Sequence, residues 1–244
     1  MSDLTTAAID LLKDLIGLPS FSKQEDKTAD RIGEWFNHYG IPYEREGNNL
    51  WAKNKAFDPQ KPTLLLNSHH DTVKPNTAYT NDPFEAKILD GKLYGLGSND
   101  AGGALVSLIA LFTHYFDKEN PKYNLLVVAS AEEEIAGDNS LRGLIPKLPK
   151  IDVAIVGEPT EMNLAIAEKG LIVFDAVIKG TPGHAAHPNA DNPIMKLPEV
   201  LNWFENFKLQ KYSDFLGDVK VTVTQVSAGT VSYTHLTLPT NREV

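Results

Sequence analysis

The sequence predicts an α/β protein: a mostly parallel sheet with flanking helices, followed by a smaller α+β unit. Three observations carry this. Short apolar runs at 64–66, 123–129 and 151–156 alternate with stretches of helical periodicity, the pattern of parallel strands joined by crossover helices. Each run stops abruptly at polar residues: Ser68-His69-His70-Asp71, then Ser130-Ala131-Glu132-Glu133-Glu134, then Gly157-Glu158. Beyond about residue 170 the texture changes to the apolar/polar alternation of strands with one solvated face.

Taken in order, residues 3–16 read as an amphipathic helix with Leu4, Ala8, Leu11, Leu12 and Leu15 on one face, stopped by Gly17 and Pro19. Residues 22–39 read as a second helix, with Ala29, Ile32, Trp35 and Phe36 at helical spacing. One or two strands are expected around Gly47-Asn48-Asn49, and a buried strand leads to His69. The long connection 74–90 is rich in turn residues and closes on Asp90-Gly91, a hairpin signal before Lys92-Leu93-Tyr94. A glycine-rich loop, 95–103, precedes ALVSLIALFTHYF, expected as a buried helix. The runs 123–129 and 151–156 are expected as second and third buried strands. In the smaller unit, LIVFDAVIKG reads as a half-exposed strand, 180–188 as a loop, 192–207 as mostly helix despite Pro198, and VKVTVTQV at 219–226 as a strand.

Composition narrows the function. The 244 residues carry a net charge of −9, which argues against a nucleic-acid surface and disfavours an anionic membrane face. There is no cysteine, so disulfides, thiolate metal sites and a cysteine nucleophile are excluded, and any metal must be held by oxygen and imidazole. The start, MSDLTTAAIDLLKDLIGL, lacks the basic region and apolar core of a signal peptide, and no stretch approaches a membrane span. A cytoplasmic enzyme is expected.

Strands of a parallel sheet end on one side, and ligands bind at that edge. His69, Glu133, Glu134 and Glu158 follow strand ends. Asp100 is either a helix N-cap or a carboxylate presented at the same edge. One imidazole with several carboxylates and no sulfur suits a two-metal hydrolytic site for Zn²⁺, Co²⁺ or Mn²⁺. Spacing does not say which of Glu132, Glu133 and Glu134 binds metal and which moves protons. The glycine loop has neither the Lys-Ser/Thr ending of a P-loop nor dinucleotide spacing, so a nucleotide module is a weak reading.

SHHDTV (68–73), YGLGSNDAGG (94–103), AEEEIAG (131–137), VGEPT (156–160) and GHAAHP (183–188) occur in order. Together they closely resemble the co-catalytic zinc amidohydrolases: acetylornithine deacetylase, succinyl-diaminopimelate desuccinylase, aminoacylase and glutamate carboxypeptidase. The resemblance covers residues 1–230 and implies a zinc-exopeptidase-like fold. LLLNSHHDTVKP and AIAEKGL look most like acetylornithine deacetylases. It implies that His69 and Glu158 hold one metal, Glu134 the other, and Asp100 bridges both. Asp71 would orient His69, and Glu133 would be the general base. His184 would stabilise the oxyanion, in the family across a homodimer interface. The implied reaction is hydrolysis of an N-acyl amino acid, N-acetyl-L-ornithine foremost, with N-succinyl amino acids or small peptides as alternatives. His70, His114 and Lys169 are expected to be structural or surface residues, and His187 a lesser substrate candidate.

The family's chains are longer and supply a further histidine ligand from a return segment. Residues 231–244, VSYTHLTLPTNREV, do not continue the family pattern, and His235 is not assigned that role. The expectation is a catalytic domain over 1–170, a partial lid or dimerisation domain over 171–230, and a foreign tail over 231–244 on a truncated product. An inactive metal-binding fragment is the alternative of another class.

Overall fold

A computed structural model describes residues 2–119, 121–184, 186–230 and 233–238. The chain forms two compact units, Met1–Asn163 and Leu164–Val244, against an expected division near residue 170. No described helix is long and apolar enough to cross a membrane.

The first unit runs α1 (Ser2–Ile16), α2 (Asp26–His38), β1 (Glu44–Glu46), β2 (Asn49–Lys53), β3 (Thr63–His69), β4 (Lys87–Leu89), β5 (Lys92–Tyr94), α3 (Gly103–Tyr115), β6 (Asn124–Ser130), α4 (Leu141–Leu144) and β7 (Val153–Val156). Its sheet has the order β1-β2-β6-β3-β7. β6, β3 and β7 are parallel, while β1 and β2 add an antiparallel hairpin at one edge. The register sets His69 opposite Ser130 and Asn67 opposite Val156, so the segments after all three parallel strands leave from the same edge.

Alternation along the strands divides the core into two layers. Leu66, Val127 and Ala129 pack with Leu11, Ile32, Phe36, Leu105, Ile109 and Phe112 from the three long helices. Leu65, Leu126 and Val128 pack with Trp51 and Leu144 on the other face. The helix expected from residue 22 begins at Asp26, because Lys23 turns into the left-handed region and its N–H is taken by the Glu25 carboxylate. α3 is not buried all round: Leu105, Val106, Ile109 and Phe112 face the core, while Leu111 and Tyr115 are exposed.

β7 corrects the expectation of a third buried strand. It ends the sheet with β3 on one side only, and Val153, Ile155 and Val156 are 60%, 47% and 54% exposed.

The second unit comprises β8 (Ala176–Ile178), α5 (Pro193–Asn206), β9 (Tyr212–Ser213), β10 (Gly217–Asp218), β11 (Ser227–Thr230) and β12 (Tyr233–Leu238). Asn192 caps α5 by accepting the Ile194 N–H at 2.9 Å, and Pro198 lies inside the helix. β11, β12 and β8 form an antiparallel sheet in that order. VKVTVTQV does not form the expected strand: β8 takes its ladder from 233–238, leaving 219–226 without one. Of the tail expected to be foreign, 231, 232 and 239–244 lie outside the described residues.

The glycine loop is shaped by close backbone approach. Gly97 has φ of +73°, and the Gly102 N–H returns to the Gly97 carbonyl at 2.9 Å. A Cβ on Gly102 would stand 2.5 Å from that carbonyl oxygen and 2.7 Å from Leu12 Cδ1. Backbone cannot move aside cheaply, so Gly102→Ala is expected to cost about 1–3 kcal/mol of stability, measured by urea unfolding.

Candidate metal centre

The strand ends converge on His69, which is 1% exposed. Its Nδ1 lies 2.9 Å from the Asp71 main-chain carbonyl and 3.4 Å from Asp71 Oδ1. A carbonyl only accepts, so Nδ1 carries a proton and Nε2 faces the cleft. Around Nε2 stand Asp100 Oδ1 at 3.1 Å, Glu158 Oε2 at 3.8 Å and Glu133 Oε2 at 3.9 Å. Ligand atoms of His69, Asp100 and Glu134 all lie within 4.8 Å of one another. Thus His69, Asp71, Asp100, Glu133, Glu134 and Glu158 are gathered at one sheet edge.

Each side chain is placed by its own local structure. Asp100 sits in a wide turn, Ser98–Gly102, with extended φ and ψ of −111° and 98°. Its carboxylate makes no cap, so of its two readings the structure supports presentation at the edge. The Ser68 hydroxyl donates to the Gly157 carbonyl at 2.7 Å and lies 3.4 Å from the Ala101 carbonyl, tying β3 to the segments carrying Glu158 and Asp100. Asp71 is fully buried and accepts the Ser22 hydroxyl at 2.7 Å. It also accepts the main-chain N–H groups of Glu133 and Glu134 at 3.1 and 3.2 Å. Sequence reasoning missed Ser22, because a contact 49 residues away leaves no local signal.

Glu132 is a hydrogen-bonding neighbour of the site. It is buried at φ +55°, and its Oε1 accepts from Asn139 Nδ2 at 2.8 Å. His70 is buried behind the site, and desolvation pushes its pKa down to about 4, so it is neutral. Its Nε2 must donate to the Asn48 carbonyl at 2.9 Å, and the Thr28 hydroxyl therefore donates to Nδ1 at 2.8 Å. His184 belongs to the second unit, where its Nδ1 accepts the Ala186 N–H at 3.1 Å. The His187 ring lies 5.6 Å from it.

The electrostatics are those of crowded like charges. Burial works against protonation of His69, but hydrogen bonds to Asp100 and Asp71 and the charges of Asp71 and Glu158 outweigh it, pushing the pKa up to about 11. Burial, with the charges of Asp100, Asp71 and Glu133, pushes Glu134 up to about 7, against the opposing effect of His69. Asp71 goes down: hydrogen bonds from His69 and Ser22 overcome the cost of burial. Oxygen and imidazole donors at these distances, with neighbouring carboxylate charges that raise the pKa of Glu134, fit a divalent cation in place of the His69 proton.

Residues 65–237 match peptidase family M20/M25/M40. The chain belongs to that family. The succinyl-diaminopimelate desuccinylase of Buchnera aphidicola subsp. Acyrthosiphon pisum is 32% identical over 240 residues, covering 93% of this chain and 64% of that one. The corresponding enzyme of Rickettsia felis is 28% identical over 244 residues, covering 91% and 63%. This M20 chain therefore spans a little over three fifths of these curated relatives. The crystal structure of Bacillus subtilis YXEP, described as a dinuclear metal-binding peptidase of the M20 family, superposes with a TM-score of 0.62. It is 20% identical and covers 97% of this chain and 63% of its own, which shows the shared fold.

The raised pKa values of Glu134 and His69 set a pH dependence for the metal-free M20 chain. A folded-state pKa above the unfolded one gives stability that is lost as pH rises from the unfolded to the folded value. Glu134 therefore removes stability between 4.5 and about 7, and His69 between 6.5 and about 11. With EDTA, melting temperature is expected to fall as pH rises from 5 to 9. With saturating Zn²⁺ the rise in melting temperature is expected to grow with pH. Thermal melts at fixed ionic strength check both.

Proposed function

We propose that this chain carries the metal centre of an amidohydrolase that cleaves the amide bond of an N-acyl amino acid. The convergence of one imidazole and four carboxylates on His69 Nε2 and its neighbours supports this most directly. Zn²⁺ is the proposed metal, in two sites, with Co²⁺ or Mn²⁺ able to substitute. His69 and Glu158 would hold one ion, Glu134 the other, and Asp100 would bridge them. Bound there, the ions would acidify an attacking water and polarise the scissile carbonyl.

The remaining steps belong to the protein. Glu133 takes the proton of the attacking water and delivers it to the leaving nitrogen. Its half-exposed carboxylate, at the rim beside Nε2, supports that role. Asp71 keeps the His69 ring oriented, with the main-chain carbonyl as the nearer partner. His184, whose Nδ1 is engaged as an acceptor, is proposed to stabilise the tetrahedral oxyanion through Nε2. The second unit is proposed as part of a lid and homodimerisation domain.

For the substrate, similarity to curated succinyl-diaminopimelate desuccinylases favours an N-succinyl amino acid. The phrases LLLNSHHDTVKP and AIAEKGL keep N-acetyl-L-ornithine as the second reading. The test is succinate release from N-succinyl-L,L-diaminopimelate and acetate release from N-acetyl-L-ornithine by the Zn²⁺- or Co²⁺-loaded chain. Succinate release is expected to predominate. Glu133→Ala is expected to lower turnover by roughly 10²–10⁴-fold with metal content unchanged. Equal turnover in wild type and variant would remove Glu133 from the base role, and acetate release alone would reverse the acyl assignment.

A further inference from the structure

The turn after β6 carries Glu133 and Glu134, yet four successive main-chain N–H groups in it are held by side chains. Ala131 N–H donates to Asn49 Oδ1 at 2.9 Å, and Glu132 N–H to Glu25 Oε1 at 3.2 Å. Glu133 and Glu134 N–H donate to Asp71 Oδ1 and Oδ2. Successive amides turned onto one anion form a nest, and the left-handed Glu132, φ +55°, starts it. The side chains of Glu133 and Glu134 are thus aimed by acceptors that are not themselves at the mouth of the site.

Asp71 adjoins His69, but Glu25 comes from the α1–α2 connection, 107 residues from the amide it holds. Its carboxylate is 0% exposed and accepts three N–H groups: Lys23 at 2.7 Å, Asn48 Nδ2 at 2.9 Å and Glu132. The neighbouring ties point the same way. The Asn48 carbonyl accepts from His70, and Asn139 joins Glu132 Oε1 to the β1–β2 hairpin through its own carbonyl, which accepts from Asn49 Nδ2 at 2.6 Å.

We propose that Glu25 is a positioning residue for the metal centre: by holding the Glu132 amide and the Asn48 side chain, it fixes the turn that presents Glu133 and Glu134 to His69 and Asp100. The structural half stands on hydrogen bonds within the first unit, whereas the consequence for metal binding rests on the reading proposed above.

The experiment compares wild type, Glu25→Gln, Glu25→Ala and the core control Ile109→Val by amide hydrogen exchange in metal-free protein and by Co²⁺ titration. Gln keeps one acceptor but loses the charge, so it is expected to fall between wild type and Ala. In Glu25→Gln, exchange at residues 132–134 is expected to rise about tenfold relative to β6 amides, and Co²⁺ affinity to fall about 10–100-fold. Ile109→Val is expected to leave the 132–134 to β6 ratio and Co²⁺ affinity unchanged. If residues 132–134 exchange no faster than β6 amides demand in both Glu25 variants, the proposal is overturned. Wild-type protein that binds no Co²⁺ would instead remove the metal reading, and the exchange ratio would still decide whether Glu25 holds the turn.

Discussion

The Asp71 carboxylate lies wholly buried between three segments of the first unit. It receives the Ser22 hydroxyl from the α1–α2 connection and two consecutive amides from the turn after β6, and it lies against the ring of His69. A buried carboxylate is costly unless its oxygens are saturated with donors. Satisfying Asp71 therefore obliges those segments to meet. The imidazole and both glutamates take their positions as a result. The loops of Asp100 and Glu158 are fastened separately, through the Ser68 hydroxyl and the close packing of Gly157 on α3.

This arrangement concentrates negative charge where a cation is wanted. The floor, His69 and Asp71, is dry, while Asp100, Glu133 and Glu158 stand partly in water. Without a cation the conflict is relieved by protons, which is why His69 and Glu134 both shift upward. In the proposed function, a bound divalent cation would take the place of these protons.

Much of this was legible in the sequence, and the reasons for the failures are specific. Apolar runs ending in His69, Glu133/Glu134 and Glu158 signalled strand ends on one edge, since parallel topology forces that geometry. Burial of β7 was misjudged because a run such as IDVAIV reads alike in the middle of a sheet and at its margin. The alternation of VKVTVTQV misled for a related reason: periodicity describes one strand and says nothing of the partner that must complete its hydrogen bonds. Ser22 and Glu25 were invisible because their partners lie 49 and 107 residues away.

The register that sets His69 opposite Ser130 has a kinetic meaning. β3 and β6 are paired in parallel from Thr63 with Asn124 to their common edge, and a parallel pair cannot close through a tight turn. The whole intervening chain, with α3 inside it, must be laid down before the pairing is rewarded. The proposed metal ligands are drawn from both ends of that loop and, in Asp100, from within it. Metal capture at the proposed centre would therefore be coupled to late, long-range steps of folding, and a bound ion would report that the chain has reached its topology as well as equipping it for chemistry.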